Sequence, residues 1–120
     1  LSKTETTNPE LLQIIRFLRK QSNKEDVKIW RDVANHLAKP NRRRITVNLS
    51  RLNRHTEKNE TVLIPGKVLG SGKIDHQVNV AAFQFSHTAK QKIESAKGKT
   101  LTLLQLVKKN PKGSRIKVLR

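Results

Sequence analysis

The segment Gly66-Lys67-Val68-Leu69-Gly70-Ser71-Gly72-Lys73 has the residue types of a phosphate-binding loop, because glycines let backbone N–H groups close on phosphate oxygens. Its spacing rules that chemistry out. A Walker loop ending in Gly72-Lys73 requires Gly at position 67 and Ser or Thr at 74, where this chain has Lys67 and Ile74. A dinucleotide fingerprint on Gly70 and Gly72 requires a third Gly where Asp75 stands. The segment reads as a turn-rich connection between strands. Histidine offers little more. His36, His55, His76 and His87 form no His-x-x-x-His pair, and with no Cys there is no zinc-thiolate site, disulfide or thiol nucleophile, so no metal and no cofactor is expected. His55 near Glu57 and the adjacent Asp75-His76 pair have the groups for acid–base cleavage of RNA. They fall in turn regions with nothing to supply a nucleophile, so no catalytic residue is expected.

The chemistry the residues do support is phosphate binding by cations. The 120-residue chain carries 26 Lys and Arg against 9 Asp and Glu, a formal net charge of +17. Self-repulsion of that size is relieved by a polyanion whose phosphates neutralise it and release counterions. A membrane surface is the competing partner, but there is no 18-residue apolar run and no C-terminal Cys for a lipid, so no membrane partner is expected. The cations are unevenly placed: residues 39–60 hold seven against two acids, and residues 99–120 hold seven against none. In the first block Arg42-Arg43-Arg44 follows Lys39-Pro40-Asn41, and its planar, permanently charged guanidinium groups suit bidentate phosphate contacts and stacking on bases. Lys39, Arg51 and Arg54 join it as candidates. The second block supplies Lys108, Lys109, Lys112 and Arg115, with Lys117 and Arg120 beyond, and Pro111 and Gly113 let it follow an irregular nucleic-acid backbone. Lys67 and Lys73, in the glycine-rich segment, complete the candidate set. Aromatic residues make up 3% of the chain with no Tyr, which argues against a base-stacking platform of the RRM or single-strand type and points recognition to shape and phosphates.

These candidates must be held by a modest core, since 34% of residues are hydrophobic and the length suits one domain. That domain is expected to span 1–120, with a helical part over 1–40 and a mixed α/β core with a basic tail over 41–120. Asn8-Pro9-Glu10 is a helix start, and Leu11, Ile14, Ile15 and Leu18 repeat at helical spacing, with Arg16 and Lys20 opposite and an end near 21–23. Trp30, Val33, Ala34 and Leu37 form a second stripe stopped by Pro40, so the two helices should pack as a hairpin with Trp30 in the core. Ile45–Leu49 reads as a strand, and Ser50 as the cap of a short helix over Arg51–His55. Thr61–Ile64 reads as a buried strand closed by Pro65-Gly66, Val68-Leu69 as another stopped by Gly70-Ser71-Gly72, and Val78–Phe85 as a third. Ser86 should cap a helix carrying Ala89, Ile93 and Ala96 on one face, with Gly98 as its C-cap glycine. Thr102 to Gln105 has the spacing of a capping box, opening a helix with Leu103, Leu106 and Val107 inward. Ile116 and Val118, alternating with Arg115 and Lys117, read as a final strand. The fold class is mixed α/β. No signal peptide opens the sequence, which begins at Leu1 and lacks Met, so the initiator is expected to have been trimmed or to lie outside it.

Three long ordered segments carry a family resemblance: Val47-Asn48-Leu49-Ser50-Arg51-Leu52, Val62 through Gly72, and Val80-Ala81-Ala82-Phe83 followed by Phe85-Ser86. They resemble the archaeal and eukaryotic large-subunit ribosomal protein family eighteen-e, related to bacterial large-subunit protein fifteen. The likeness runs nearly end to end, from Asn8-Pro9 to Asn110-Pro111-Lys112-Gly113-Ser114, and Lys97-Gly98 stands where many relatives carry a Gly pair. It implies an irregular β-β-α superhelical core and docking on large-subunit ribosomal RNA beside neighbouring large-subunit ribosomal proteins. It further implies a cytoplasmic place in the ribosome, an archaeal length, no small-molecule substrate and no enzymatic activity. Two other classes remain open on charge alone: an RNA-cleaving enzyme using His55 or His76, and a free RNA chaperone or nucleoid-type DNA-binding protein.

Overall fold

The apolar stripes of the first 40 residues become two helices in the computed structural model, which describes residues 9–40 and 45–120. Helix α1 (Pro9–Glu25) buries Leu11, Ile15 and Leu18 and leaves Arg16 and Lys20 exposed. It runs past the expected end because Ser22, itself buried, donates its hydroxyl to the Val27 carbonyl and accepts the Val27 N–H on its own carbonyl. Asp26, at φ 55°, then turns the chain. The proposed Asn8 cap lies outside the described residues. Helix α2 (Lys28–Leu37) buries Trp30, Val33, Ala34 and Leu37, the expected stripe.

The remaining order is β1 (Ile45–Asn48), α3 (Leu49–His55), β2 (Thr61–Leu69), β3 (Asn79–Phe85), α4 (His87–Ser95), β4 (Lys99–Leu101), α5 (Leu103–Lys109) and β5 (Lys117–Val118). The strands form one parallel sheet in the order β1-β2-β3-β4, with β5 also pairing with β2. Strands β1 and β5 share one edge of β2: Ile45–Asn48 lie along Gly66–Leu69, and Lys117-Val118 along Val62-Leu63. The architecture is mixed α/β, with five helices and this sheet among the described residues.

A parallel sheet needs cover on both faces. Side-chain alternation supplies two cores: Val62, Ile64, Val80 and Ala82 face Leu52 of α3 and Ala89 and Ile93 of α4, whereas Leu63 and Ala81 face α1, α2 and α5 through Leu18, Trp30, Leu103 and Leu106. The helical hairpin therefore shares its core with the sheet.

Three local readings are corrected, and one strand is added. Pro65-Gly66 does not end a strand; β2 continues through it, with a register shift between Ile64 and Lys67 that accommodates a residue lacking an N–H. Gly66 is there because β1 comes so close that a Cβ would lie 2.0 Å from the Ile45 carbonyl oxygen. Ser50 is not a cap, since α3 begins two residues earlier, at Leu49 with Asn48 at its N-cap, and the Ser50 N–H donates to the Ser71 carbonyl. Strand β4 was not anticipated from its three residues. The glycine after α4 is not its left-handed residue: Lys97 has φ 66°, and a Schellman turn closes as Lys97 N–H meets the Glu94 carbonyl and Gly98 N–H the Ile93 carbonyl. Gly98 serves close approach, because a Cβ there would lie 2.3 Å from the Val78 carbonyl oxygen. The left-handed conformation costs a non-glycine residue about 1–2 kcal/mol, partly offset by glycine's greater unfolded-state entropy. Lys97→Gly is therefore expected to stabilise the fold by about 0.5–1 kcal/mol in denaturant unfolding; an unchanged midpoint would contradict this. The other two caps form as expected: the Ser86 hydroxyl accepts from Ala89 N–H, and Thr102 and Gln105 complete a capping box.

Candidate nucleic-acid interface

The glycine segment turns carbonyls, not amides, toward its charged neighbour. Lys92 of α4 donates to the carbonyls of Gly70 and Gly72, both at 2.8 Å. Gly72, at φ 92°, packs against the start of α3, where a Cβ would lie 2.7 Å from the Ser50 nitrogen. The loop thus binds a lysine of its own chain, in keeping with a structural connection.

Asp75, His76 and Thr56 line up like a nucleophile relay, with Asp75 Oδ1 3.2 Å from His76 Nδ1 and His76 Nε2 2.8 Å from Thr56 Oγ1. Two facts remove the nucleophile. The single hydroxyl hydrogen of Thr56 is given to the Leu52 carbonyl at 2.7 Å, and Thr56 is only 8% exposed. The set is a pin between α3 and the loop before β3, reinforced by the Asp75 N–H donating to Asn53 Oδ1. Hydrogen bonding with His76, then with Asn53, holds the Asp75 carboxyl below its ordinary pKa. His55 and Glu57 are both exposed and share no hydrogen bond. Among the described residues no group of three His, Asp or Glu side chains is placed to hold a metal ion, and no helix is long and apolar enough to cross a membrane.

The candidate cations among the described residues fall in three places. At the β1/β5 edge the two basic blocks meet: Arg51 of α3 donates to the Arg120 carbonyl, Arg120 Nη1 lies 2.8 Å from His36 Nε2, and Lys39 Nζ lies 3.3 Å from His36 Nδ1. Lys117 joins them by donating to the His55 carbonyl, with Glu60 3.9 Å away. Arg54 is exposed on the same short helix. At the opposite end of β5, Lys109 and Arg115 line a cleft with Thr61 and Asn79, the first residues of β2 and β3, while Lys108 and Lys112 are exposed nearby in sequence. Lys67 and Lys73 are exposed elsewhere, on β2 and just beyond the glycines. The structure links Lys39 and Arg51 through His36 and Arg120, sets Lys109 and Arg115 on one cleft, and leaves the other described candidates apart from these two groups. Arg42, Arg43 and Arg44 lie outside the described residues.

The terminal basic block is built into the fold. Trp30 Nε1 donates to the Pro111 carbonyl at 2.7 Å, Asn110 Nδ2 to the Ser114 carbonyl at 2.7 Å, and Leu119 N–H to the Leu63 carbonyl at 3.0 Å.

Sequence reasoning missed His36, whose partner Arg120 is 84 positions away and carries no local signal. Partial burial lowers the His36 pKa most, followed by repulsion from Lys39 and Arg120, with Asp32 opposing. A neutral imidazole has one acceptor nitrogen, yet both ring nitrogens face cationic donors. Because the folded state holds this proton less tightly than the unfolded one, His36 favours folding above its ordinary pKa of about 6.5, and that stability is lost as pH falls below it. His36→Gln is expected to flatten the loss of stability between roughly pH 7 and 5 in denaturant unfolding; an unaltered pH dependence would contradict it.

Comparison with known proteins agrees in one direction. The family model described as ribosomal protein 60S L18 and 50S L18e matches residues 2–120. A protein of Methanothermobacter thermautotrophicus named large ribosomal subunit protein eL18 is 52% identical over 117 residues, covering 98% of this chain and 97% of the relative. Proteins of the same name from Methanoregula boonei and Methanococcus maripaludis are 49% and 44% identical, each covering at least 96% of both chains. A match of that extent shared with full-length relatives is not a local motif coincidence, and the chain belongs to the ribosomal protein 60S L18 and 50S L18e family.

Proposed function

We propose that this chain is a structural constituent of the large ribosomal subunit, held on large-subunit ribosomal RNA by its basic edge and supporting assembly of the particle for translation. The family is a structural component of the ribosome and not an enzyme. Within this reading the chain resides in the cytoplasmic ribosome, beside other large-subunit proteins.

The observation that carries the proposal is the convergence of the two basic blocks around His36, Lys39, Arg51 and Arg120. Cations close enough to depress the His36 pKa repel one another, and phosphate oxygens entering between them would relieve that repulsion. Arg42–Arg44 belong to the same block in sequence and are assigned to the same contact, while Lys67, Lys73, Arg54, Lys108, Lys109, Lys112 and Arg115 extend it over the surface. Binding should therefore be dominated by phosphate neutralisation. The affinity of the purified chain for large-subunit ribosomal RNA is expected to fall steeply with salt, with a log–log slope of about 0.7–0.9 per phosphate neutralised. Binding that is nearly flat from low to moderate salt would overturn the proposal.

A further inference from the structure

The hairpin and α5 cover only part of one sheet face. Leu63 and Ala81, toward the N-terminal ends of β2 and β3, are buried beneath them. Toward the C-terminal ends Thr46, Lys67 and Gln84 are register partners on β1, β2 and β3 and all three are exposed, beyond Phe83, the last side chain of β3 that packs into that core. Their neighbours Val47, Val68 and Phe85 pack into the core on the other side. Strand spacing of about 4.8 Å makes this a row of roughly 10 Å. Asn48, two positions beyond Thr46 and also exposed, occupies the N-cap of α3 without making the side-chain cap bond that Asn usually makes. Among the described residues, no hydrogen bond or ion pair engages the side chains of Thr46, Asn48, Lys67 or Gln84.

A parallel sheet left open on one face lacks the layer that normally covers it. The chemistry of the row says what covers this one. It has a central cation and no acid, in a chain of net charge +17, so the occupant is anionic. Its other members are a hydroxyl and two amides, each able to donate and to accept, and it has no aromatic ring on which a base could stack. The ribose 2′-hydroxyl is itself donor and acceptor, and is the group by which a protein distinguishes RNA from DNA. We infer that the uncovered C-terminal strip of the sheet, Thr46, Asn48, Lys67 and Gln84, is a ribose-reading surface, with Lys67 on a phosphate and the neutral side chains on 2′-hydroxyls. This rests on the ribosomal RNA reading above and adds to it the sugar recognised and the residues that recognise it.

The test compares binding of the full chain to an RNA duplex and to the DNA duplex of the same sequence. The double variant Thr46→Val with Gln84→Met keeps side-chain shape and removes the polar atoms. Wild type is expected to prefer RNA, and the double variant to lose about tenfold in RNA affinity with DNA affinity and salt slope unchanged. Lys67→Ala is expected to weaken both duplexes and to lower the salt slope by about 0.9. Should thermal unfolding show the double variant to be unstable, Gln84→Met alone carries the test with about a threefold loss. A wild-type chain without RNA preference, or variants that keep the wild-type RNA-to-DNA ratio as they would if the strip faced a protein, overturns this inference alone. Failure of the wild-type chain to bind large-subunit ribosomal RNA overturns the reading beneath it.

Discussion

Trp30→Ala is expected to remove about 3–5 kcal/mol of folding free energy, a large share of the roughly 5–15 kcal/mol that holds a domain together. Trp30 is fully buried beside Leu63 of β2 and Leu103 and Leu106 of α5, and truncation leaves a cavity among groups that cannot all collapse into it. It also loses the hydrogen bond to the Pro111 carbonyl, which fixes the turn before β5. Gly113, in that turn at φ 67°, packs so closely that a Cβ would lie 2.6 Å from Ile29 Cγ2 and 3.5 Å from the Trp30 ring. Trp30→Phe, which keeps most of the ring and loses the N–H, should cost distinctly less. Thermal unfolding followed by circular dichroism measures both, and an Ala variant melting within a few degrees of wild type would contradict a core role for Trp30.

The triple variant Arg42→Ala, Arg43→Ala, Arg44→Ala is expected to do the opposite. Surface substitutions away from caps and cores change stability by less than about 0.5 kcal/mol, and removing like charges from a chain of +17 relieves repulsion. RNA affinity near physiological salt should fall on the order of a hundredfold, because the proposed interface then loses three charge-assisted contacts that Ala cannot replace. The salt slope should become shallower by about 2–3 for three phosphates released. Unfolding and RNA binding measured on one preparation separate the effects. Early unfolding would make the segment structural, and wild-type affinity with an unchanged slope would make it idle.

Where the determining interactions are local, they were legible in the sequence. The stripe of α2, the Ser86 cap of α4 and the Thr102–Gln105 box of α5 each depend on residues within one or two turns, and each forms as read. Pro65-Gly66 was misread because the same dipeptide serves a turn or a bulge, and what decides is the approach of β1 from about twenty positions upstream. The left-handed residue at Lys97 was hidden because glycine is the usual occupant of that conformation, while Gly98 was present for a different contact. The Lys92 contacts to the Gly70 and Gly72 carbonyls link α4 to the glycine segment across about twenty positions and had no local signal. The candidate interface was legible as composition and not as geometry. Charge counting marked the two basic blocks, yet their meeting through Arg51, Arg120 and His36 depends on β5 pairing with β2, which no local pattern specifies. The bare row of Thr46, Lys67 and Gln84 was equally invisible, since it exists only through sheet register.

Whether the chain works as a fixed part of the large ribosomal subunit is decided by sedimentation of the protein from its own cells through a high-salt sucrose gradient. Co-migration with large subunits is expected, because the proposed contacts at several basic places would have to be broken together for release. Protein recovered free at the top of the gradient, with large subunits lacking it, would contradict that role.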